Sequence, residues 1–304
     1  MKPKKRTDEN LNIEILPGDS TTIHKSIKHM NYQKKVKQHL GTYKKEVLGV
    51  DEKGLFKHNG NEYCFDHILP KQLADLNIMK EYREPFLNSD YSKINYHRYF
   101  HHLNSSQALC INLFFPLIHE QKLNVILELL ELPGKGVRRS EFEKLSPIEQ
   151  TSGRKTNFDF YLELTDGKQI FFEVKYTEQE FGKAKHDQRH IEKFEKTYLP
   201  LLRNNPFICE EFKTVNMFLG NYQIMRNLVH IGESDYVVFL FPEANQNIQK
   251  QASMAFNKML SEKGREKLKI LYLEEMVQHI LKSLEPGLIM DHFLDFGEKY
   301  FTLN

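Results

Sequence analysis

Apolar and polar residues alternate along two neighbouring stretches in the middle of the chain, residues 157–164 and 169–175. Such alternation has the period of a β-strand, whose successive side chains point to opposite faces. The apolar positions are Phe158, Phe160, Leu162, Leu164, Ile170, Phe172 and Val174. A turn sequence, Asp166-Gly167, lies between the two stretches, so the pattern predicts a β-hairpin.

The length of the hairpin loop decides which side chains face each other. A two-residue turn would place Asp159 opposite Val174 and would turn one apolar row towards water. A three-residue loop that ends at Gly167, with this glycine in the left-handed conformation, places Asp159 opposite Glu173 instead. It also keeps all the apolar positions on one face. We therefore predict the three-residue loop, with Asp159, Glu173 and Lys175 together on the other face.

Two carboxylates and a lysine on one face of a hairpin have two interpretations. Carboxylates a few ångströms apart repel each other, and a hard cation such as Mg²⁺ relieves that repulsion. Such a cation polarises a phosphoryl oxygen, while Lys175 would orient a water molecule or offset transition-state charge. The alternative is a solvated surface ion pair. An acidic residue two positions before a lysine, as in the triplet Glu173-Val174-Lys175, also occurs at Asp51-Glu52-Lys53, in a segment without strand character. The triplet by itself favours the alternative.

The spacing of these residues resembles a known signature. Asp159, thirteen intervening residues and then Glu173-Val174-Lys175 on a second strand resemble the active site of the PD-(D/E)XK nuclease superfamily. Phe158 stands where that signature has a proline. Residues 63–79 and 101–117 are similar to a bacterial group within this superfamily that is described as restriction-endonuclease-like.

This resemblance implies a Mg²⁺-dependent deoxyribonuclease, of the restriction or defence endonuclease type. Asp159, Glu173 and the backbone carbonyl of Val174 would hold Mg²⁺, or Mn²⁺ in its place, and Lys175 would serve the water nucleophile. In many family members a glutamate adds a further metal contact, and the candidates here are Glu120, Glu128, Glu131 and Glu143. The alternatives are an exonuclease or repair nuclease on the same core, and an inactive nucleic-acid-binding module.

Helices and strands are predicted on both sides of this hairpin. Ser105 or Ser106 should cap a helix that Pro116 breaks and that resumes to about residue 132. Asn59-Gly60 predicts a tight turn in an earlier hairpin. The other predicted elements are a strand at 136–145, helices at 183–199 and 221–229, a buried strand at 236–241, a helix at 247–260, a strand at 268–273 and a helix at 274–281.

This order predicts an α/β fold with a central mixed β-sheet, in which an antiparallel meander is followed by parallel strands and helices flank both faces. The restriction-endonuclease-like core would occupy residues 101–304. Residues 1–100 would form an N-terminal basic extension and a flanking segment. The chain has 304 residues, 40% of them hydrophobic, and 22 phenylalanines, which is enough to bury a large core.

Charge and cysteine usage narrow the class of protein. The net charge is only +2, so a nucleic-acid surface must come from local clusters. Cys64, Cys110 and Cys209 lie far apart with no CxxC motif, which fits a reducing, cytoplasmic location. The longest mostly apolar run, residues 108–118, is too short to span a bilayer, so we expect no membrane partner.

Basic residues near the hairpin are candidate contacts for duplex DNA, the partner that the resemblance implies. They lie on the approach to Asp159 and on the predicted helix at 183–199, and they are Arg154, Lys155, Lys183, Arg189 and Lys193. A plain solvated helix face is the alternative. Residues 31–47 form a second basic stretch, either a DNA surface or a helix that docks Val36 and Leu40. A second copy of the chain is a further candidate partner.

Overall fold

A computed structural model describes residues 31–132, 136–151 and 153–301. Its helices are α1 (Tyr32–Glu46), α2 (Lys80–Leu87), α3 (Ser106–His119), α4 (Asn124–Leu129), α5 (Gln188–Lys193), α6 (Leu199–Arg203), α7 (Val215–Gly220), α8 (Tyr222–Leu228), α9 (Gln246–Met254), α10 (Glu262–Arg265), α11 (Leu273–Ser283) and α12 (Leu288–Tyr300). Its strands are β1 (Gly54–His58), β2 (Asn61–Phe65), β3 (Val137–Leu145), β4 (Asn157–Leu164), β5 (Gln169–Val174), β6 (Asp235–Phe241) and β7 (Leu268–Tyr272). The basic cluster from Lys2 to Arg6 lies outside the described residues.

Short turns of tighter or wider helix complete these elements. The 3₁₀ turns lie at Lys71–Asn77, Asp90–Ser92 and Glu210–Lys213. Single π-helical turns follow α5 and α9, at Phe194–Tyr198 and Ala255–Met259. Within the described part of the chain, no helix combines the length and the apolar character needed to cross a membrane.

The central sheet has five strands in the order β3-β4-β5-β6-β7. The pairs β3–β4 and β4–β5 are antiparallel, whereas β5–β6 and β6–β7 are parallel. An antiparallel meander therefore feeds a parallel portion, and the predicted α/β fold with a mixed sheet between helices is confirmed. Long connections that contain helices join the parallel strands, as parallel pairing requires.

Each face of the sheet carries its own apolar core. Val238 and Leu240 of β6 pack on the side of α3, α11 and α12, while Val237 and Phe239 pack on the side of α5 to α9. Because β6 is buried on both faces, its sequence shows a continuous apolar run without alternation. Val36 of α1 also packs into the first core. The division at residue 100 stays a prediction, since side chains from both sides of it share this core.

The hairpin loop between β4 and β5 has the predicted three residues. Leu164 N donates to Lys168 O at 2.8 Å, and Gly167 N donates to Leu164 O at 3.0 Å. Gly167 has φ +85°, and the register pairs Phe160 with Phe172. The odd-length loop and the left-handed glycine are confirmed.

The prediction that every apolar residue of the hairpin shares one face is wrong at Phe158. Phe160 and Phe172 pack in the first core, but Phe158 packs in the second, with its ring centroid 4.8 Å from that of Phe171. Hydrogen-bonded pairs recur every second residue from the loop, so a regular ladder would join Val174 N to the Phe158 carbonyl. Val174 N instead donates to Asp159 Oδ2 at 2.7 Å. The Asp159 side chain therefore takes the place of the Phe158 carbonyl as acceptor. On the N-terminal side of Phe160, β4 no longer follows the regular pairing with β5.

The prediction that Pro116 breaks the helix capped by Ser105 or Ser106 is also wrong. α3 runs through Pro116 to His119, after Ser105, whose side chain caps it by accepting from Ala108 N at 3.3 Å as predicted. A proline inside a helix leaves the carbonyl four residues earlier without its donor. His292 Nε2 of α12 donates to that carbonyl, Asn112 O, at 2.8 Å. A distant side chain therefore supplies the missing hydrogen bond.

Two other predicted segments have clear outcomes. The turn between β1 and β2 has Asn59 at φ +49° and Gly60 at φ +80°, which confirms the tight hairpin turn. α1 buries Val36 and Leu40 completely, so the interpretation as a helix that docks these residues is confirmed. Its Lys44 is also buried and donates to Glu52 O and Ile68 O at 2.7 and 3.1 Å.

Candidate active site

The β4–β5 hairpin brings Asp159, Glu173 and Lys175 together at one end of the sheet. Lys175 Nζ lies 2.6 Å from Glu173 Oε1, and Asp159 Oδ2 is bound by the backbone of Val174 between them. Glu173 and Lys175 are only 3% and 7% exposed, whereas Asp159 is partly exposed. Alternation along β5 places Glu173 and Lys175 on the same side, which is why the pair can form.

The charge of Glu173 acts on the neighbouring Asp159 carboxyl. Burial, and then the charge of Glu173, raise the pKa of Asp159 well above its ordinary range. Burial lowers the pKa of Lys175, but the carboxylates of Glu173, Glu178 and Asp159 outweigh it and raise this pKa. Lys175 therefore stays protonated beside Glu173, while Asp159 shifts towards its neutral form.

Helix α8 supplies two residues that the sequence analysis missed. Gln223 Nε2 donates to Glu173 Oε1 at 2.6 Å, and Asn227 Nδ2 donates to Glu173 Oε2 at 3.0 Å. The two amides are four residues apart and therefore lie on one face of the helix. That spacing of amide side chains within the predicted helix at 221–229 was the available signal. Together with Lys175, they fix both oxygens of Glu173.

Glu143 of β3 lies on the other side of Asp159. Gln107 Nε2 donates to Glu143 Oε1 at 2.7 Å, Asn157 donates to Oε2, and His97 Nε2 lies 3.6 Å from Oε2. Glu143 has φ +55°, a left-handed conformation that is rare inside a strand and that surrounding contacts must maintain. Its charge contributes to the raised pKa of Asp159.

The four glutamate candidates for a further metal contact are therefore separated by the structure. Glu143 is within electrostatic range of Asp159, and it raises the pKa of His97. Glu128 lies on α4, with Oε2 3.9 Å from His279 Nε2. Glu120 accepts from Tyr82, and Glu131 pairs with Lys269. None of these three contributes to the raised pKa of Asp159.

The chemistry of the donors suits a hard divalent cation. Asp159 and Glu173 are adjacent carboxylates whose repulsion raises the pKa of Asp159, and oxygen donors of this kind are those that Mg²⁺ prefers. As the side chains are arranged, Lys175 supplies the positive charge next to Glu173. Among residues 31–132, 136–151 and 153–301, no group of three His, Cys, Asp or Glu side chains is close enough to hold a metal ion.

Most of the predicted DNA contacts near the hairpin line one open groove of about 700 Å³, which we call the basic groove. Arg154, Arg189 and Lys193 lie in it. Lys183 lines a different groove and pairs with Glu180 at 3.2 Å. Lys155 is not one of the described residues that line the basic groove.

The basic groove also contains Arg226, a cation that the sequence analysis did not single out. Its charged and aromatic lining consists of Arg154, Arg189, His190, Glu192, Lys193, Lys196, Tyr222 and Arg226. The helix predicted at 183–199 begins later, at Gln188, because Asp187 accepts from His190 N at 3.0 Å and caps it. The prediction that Lys183 lies on this helix is therefore wrong.

A mixed five-stranded sheet between helices, with Asp159 on β4, Glu173 on β5 and Lys175 just after β5, defines a restriction-endonuclease-like α/β protein. A protein family described as Restriction Endonuclease associating with ARP matches residues 37–301, and the chain belongs to this family. The resemblance stated from the sequence is thereby confirmed at the level of a restriction-endonuclease-like family. No curated protein and no solved structure matches the chain.

Proposed function

We propose that this protein is a Mg²⁺-dependent deoxyribonuclease, an endonuclease of the restriction or defence type that hydrolyses phosphodiester bonds in duplex DNA. The observation that carries the proposal is that Asp159 lies within electrostatic range of Glu173 at one end of the sheet, with Lys175 Nζ 2.6 Å from Glu173 Oε1. Membership of a restriction endonuclease family supports the nuclease class. The family description also names association with ARP, which we include as a proposed partner.

Each side chain has a distinct proposed role. Asp159 and Glu173, with the Val174 carbonyl, would hold Mg²⁺ or Mn²⁺, and Glu143 is the further candidate that the geometry favours. The bound cation supplies Lewis-acid polarisation of a phosphoryl oxygen and a water of lowered pKa. Lys175 offsets the negative charge that develops on the phosphate and orients the attacking water. Gln223 and Asn227 hold the Glu173 carboxylate in place.

The experiment is Mg²⁺-dependent cleavage of closed circular and linear duplex DNA, because only an endonuclease cuts a closed circle. Wild type should cut the circle with Mg²⁺ and not with a chelator. Asp159→Ala and Glu173→Ala should both abolish cutting while DNA binding persists. Glu163→Gln is the matched control, since this β4 carboxylate pairs with Arg138 away from the site and its loss should leave cleavage intact. Cleavage by Asp159→Ala at the wild-type rate would refute the site assignment.

The same assay tests two alternatives. Degradation of the linear DNA alone would indicate an exonuclease or repair nuclease on this core. An inactive nucleic-acid-binding module is favoured by one observation, namely that Lys175, Gln223 and Asn227 already occupy both oxygens of Glu173. DNA binding by wild type without any cleavage in Mg²⁺ or Mn²⁺ would establish that alternative.

A further inference from the structure

The basic groove concentrates positive charge that the described protein does not neutralise. Arg154, Arg189, Lys193 and Arg226 line it, and none of these four forms an ion pair with a carboxylate anywhere in the described ranges. Lys196 is the exception, because it pairs with Glu192 at 3.3 Å. Among the described residues that line the groove, Glu192 is the one carboxylate, so the cations outnumber their counter-charge and a bound anion would relieve their repulsion.

Arg226 is held over this groove by neutral contacts. Its Nε donates to Thr156 Oγ1 at 3.0 Å, and its guanidinium carbon lies 5.1 Å from the ring centroid of Tyr222. Its Nη2 is buried and has no hydrogen-bond partner among the residues that the structure describes. A buried donor without a partner is costly, and a guanidinium is well suited to bind planar or tetrahedral oxyanions.

A buried carboxylate, Glu149, helps to fix this arrangement and offsets part of its positive charge. Glu149 is 1% exposed, and its oxygens accept from Thr156 N at 3.1 Å, from the Thr156 hydroxyl and from Tyr198 OH at 3.3 Å. Thr156 therefore connects Glu149 to Arg226. Glu149 acts as a positioning residue, because it binds Thr156 and Tyr198 and so holds the hydroxyl that accepts from Arg226.

Lys193 lines the same groove as Arg226. Burial comes first among the causes that lower its pKa to about 8, followed by the charge of Arg226, with Arg189 and Arg154 adding to the effect and Glu149 opposing it. Its Nζ donates to the Arg154 carbonyl and lies 5.5 Å from the ring centroid of Tyr198. A bound anion would relieve the repulsion that these neighbours impose.

We propose that the basic groove is a phosphate-binding subsite, separate from the catalytic carboxylates, in which Arg226 and Lys193 hold a phosphate group of a nucleic-acid strand. The phosphate chemistry follows from the groove itself. The assignment of that phosphate to a strand rests on the proposed function.

Helix α8 links this subsite to the candidate active site. Tyr222 and Arg226 line the groove, while Gln223 and Asn227, one position further along, bind Glu173. Adjacent positions on a helix project about 100° apart, so the subsite lies beside the candidate active site and not within it.

Binding measured without divalent cations tests the subsite independently of cleavage. Inorganic phosphate, pyrophosphate and a single-stranded oligonucleotide, with and without a 5′-phosphate, are titrated at low salt in the presence of a chelator. Arg226→Ala and Lys193→Gln should each weaken binding about tenfold or more, and Arg226→Lys should lose part of it because the planar fork is gone. Lys250→Ala is the matched control, since Lys250 lines a separate groove. This variant should bind each probe with the affinity of wild type.

The probes identify the source of the phosphate. Binding of phosphate or pyrophosphate that the variants lose supports the subsite with a free anion as ligand, and binding of the oligonucleotides alone supports it with a strand. Equal affinity in wild type, Arg226→Ala and Lys193→Gln, or no binding of any probe, overturns the proposal. Lys193→Gln keeps the test valid if Arg226→Ala does not fold. Asp159→Ala should bind like wild type, so a failure of the nuclease proposal leaves this result unaffected.

Discussion

Gly167 allows the β4–β5 hairpin to be tested without changing a candidate catalytic side chain. Its φ of +85° lies in the left-handed region, which costs a residue with a Cβ roughly 1–2 kcal/mol. A Cβ added at Gly167 meets no atom within 4 Å, so no clash contributes to the penalty. We therefore expect Gly167→Val to lower the free energy of unfolding by about 1–2 kcal/mol.

Equilibrium unfolding in urea measures this difference. With an m-value of roughly 3 kcal/mol/M, the midpoint should fall by about 0.3–0.7 M. Gly167→Asn is the first control, because asparagine tolerates the left-handed conformation and should lose much less stability. Gly220→Val is the second, since an added Cβ there also meets nothing within 4 Å and the glycine has no left-handed φ.

The result that would refute the reasoning is a Gly167→Val protein as stable as wild type. Equal losses for the Val and Asn variants would refute it too, because the left-handed requirement could not then be the cause. Under the proposed function, cleavage should also decrease in Gly167→Val. A one-residue slip of the register would move Asp159 away from Val174 N and turn alternate side chains to the other face.

Three other predictions follow from the site. Gln223→Ala or Asn227→Ala should each cost about 1.5–3 kcal/mol in urea unfolding, because a buried hydrogen bond to the Glu173 carboxylate is lost; a change below about 0.5 kcal/mol would show that the bond contributes little. The pyrophosphate affinity of the basic groove should fall as the pH rises through about 8, the lowered pKa of Lys193, to roughly a tenth at pH 9 where only the protonated form binds. Lys193→Gln should show a flat profile, and a flat wild-type profile would exclude Lys193 as the responsible group. Mg²⁺ should raise the melting temperature of wild type but not of Asp159→Ala, and equal shifts would locate the ion elsewhere.

The alternation of side chains along the two strands was enough to predict the hairpin and the length of its loop. The period of two brings Asp159 and Glu173 to one side of the hairpin only if the loop has an odd length, and Gly167 is the residue in that loop that can adopt a left-handed φ. The mixed sheet follows in the same way, because alternating strands precede a continuous apolar run at β6. Local sequence specifies these features, so the sequence suffices for them.

Features that depend on distant partners could not be predicted. The helix passes through Pro116, and His292, far along the chain, donates to the Asn112 carbonyl that the proline leaves without a helical donor. Glu173 is held by Gln223 and Asn227, which a single sequence does not assign to it. The start of α5 has a local cause, because Asp187 caps the helix and fixes its beginning at Gln188.

The error at Phe158 and the geometry of the candidate active site have one cause. Asp159 can bind Val174 N only by occupying the place of the Phe158 carbonyl in the ladder, so the strand must leave its regular course there. Phe158 then crosses to the second core, against Phe171 and His230. The carboxylate thus comes to lie at the splayed end of the two strands, partly exposed, while Glu173 beside it is buried. A hairpin with a fully regular ladder would pair the Phe158 carbonyl with Val174 N and deprive Asp159 of this position.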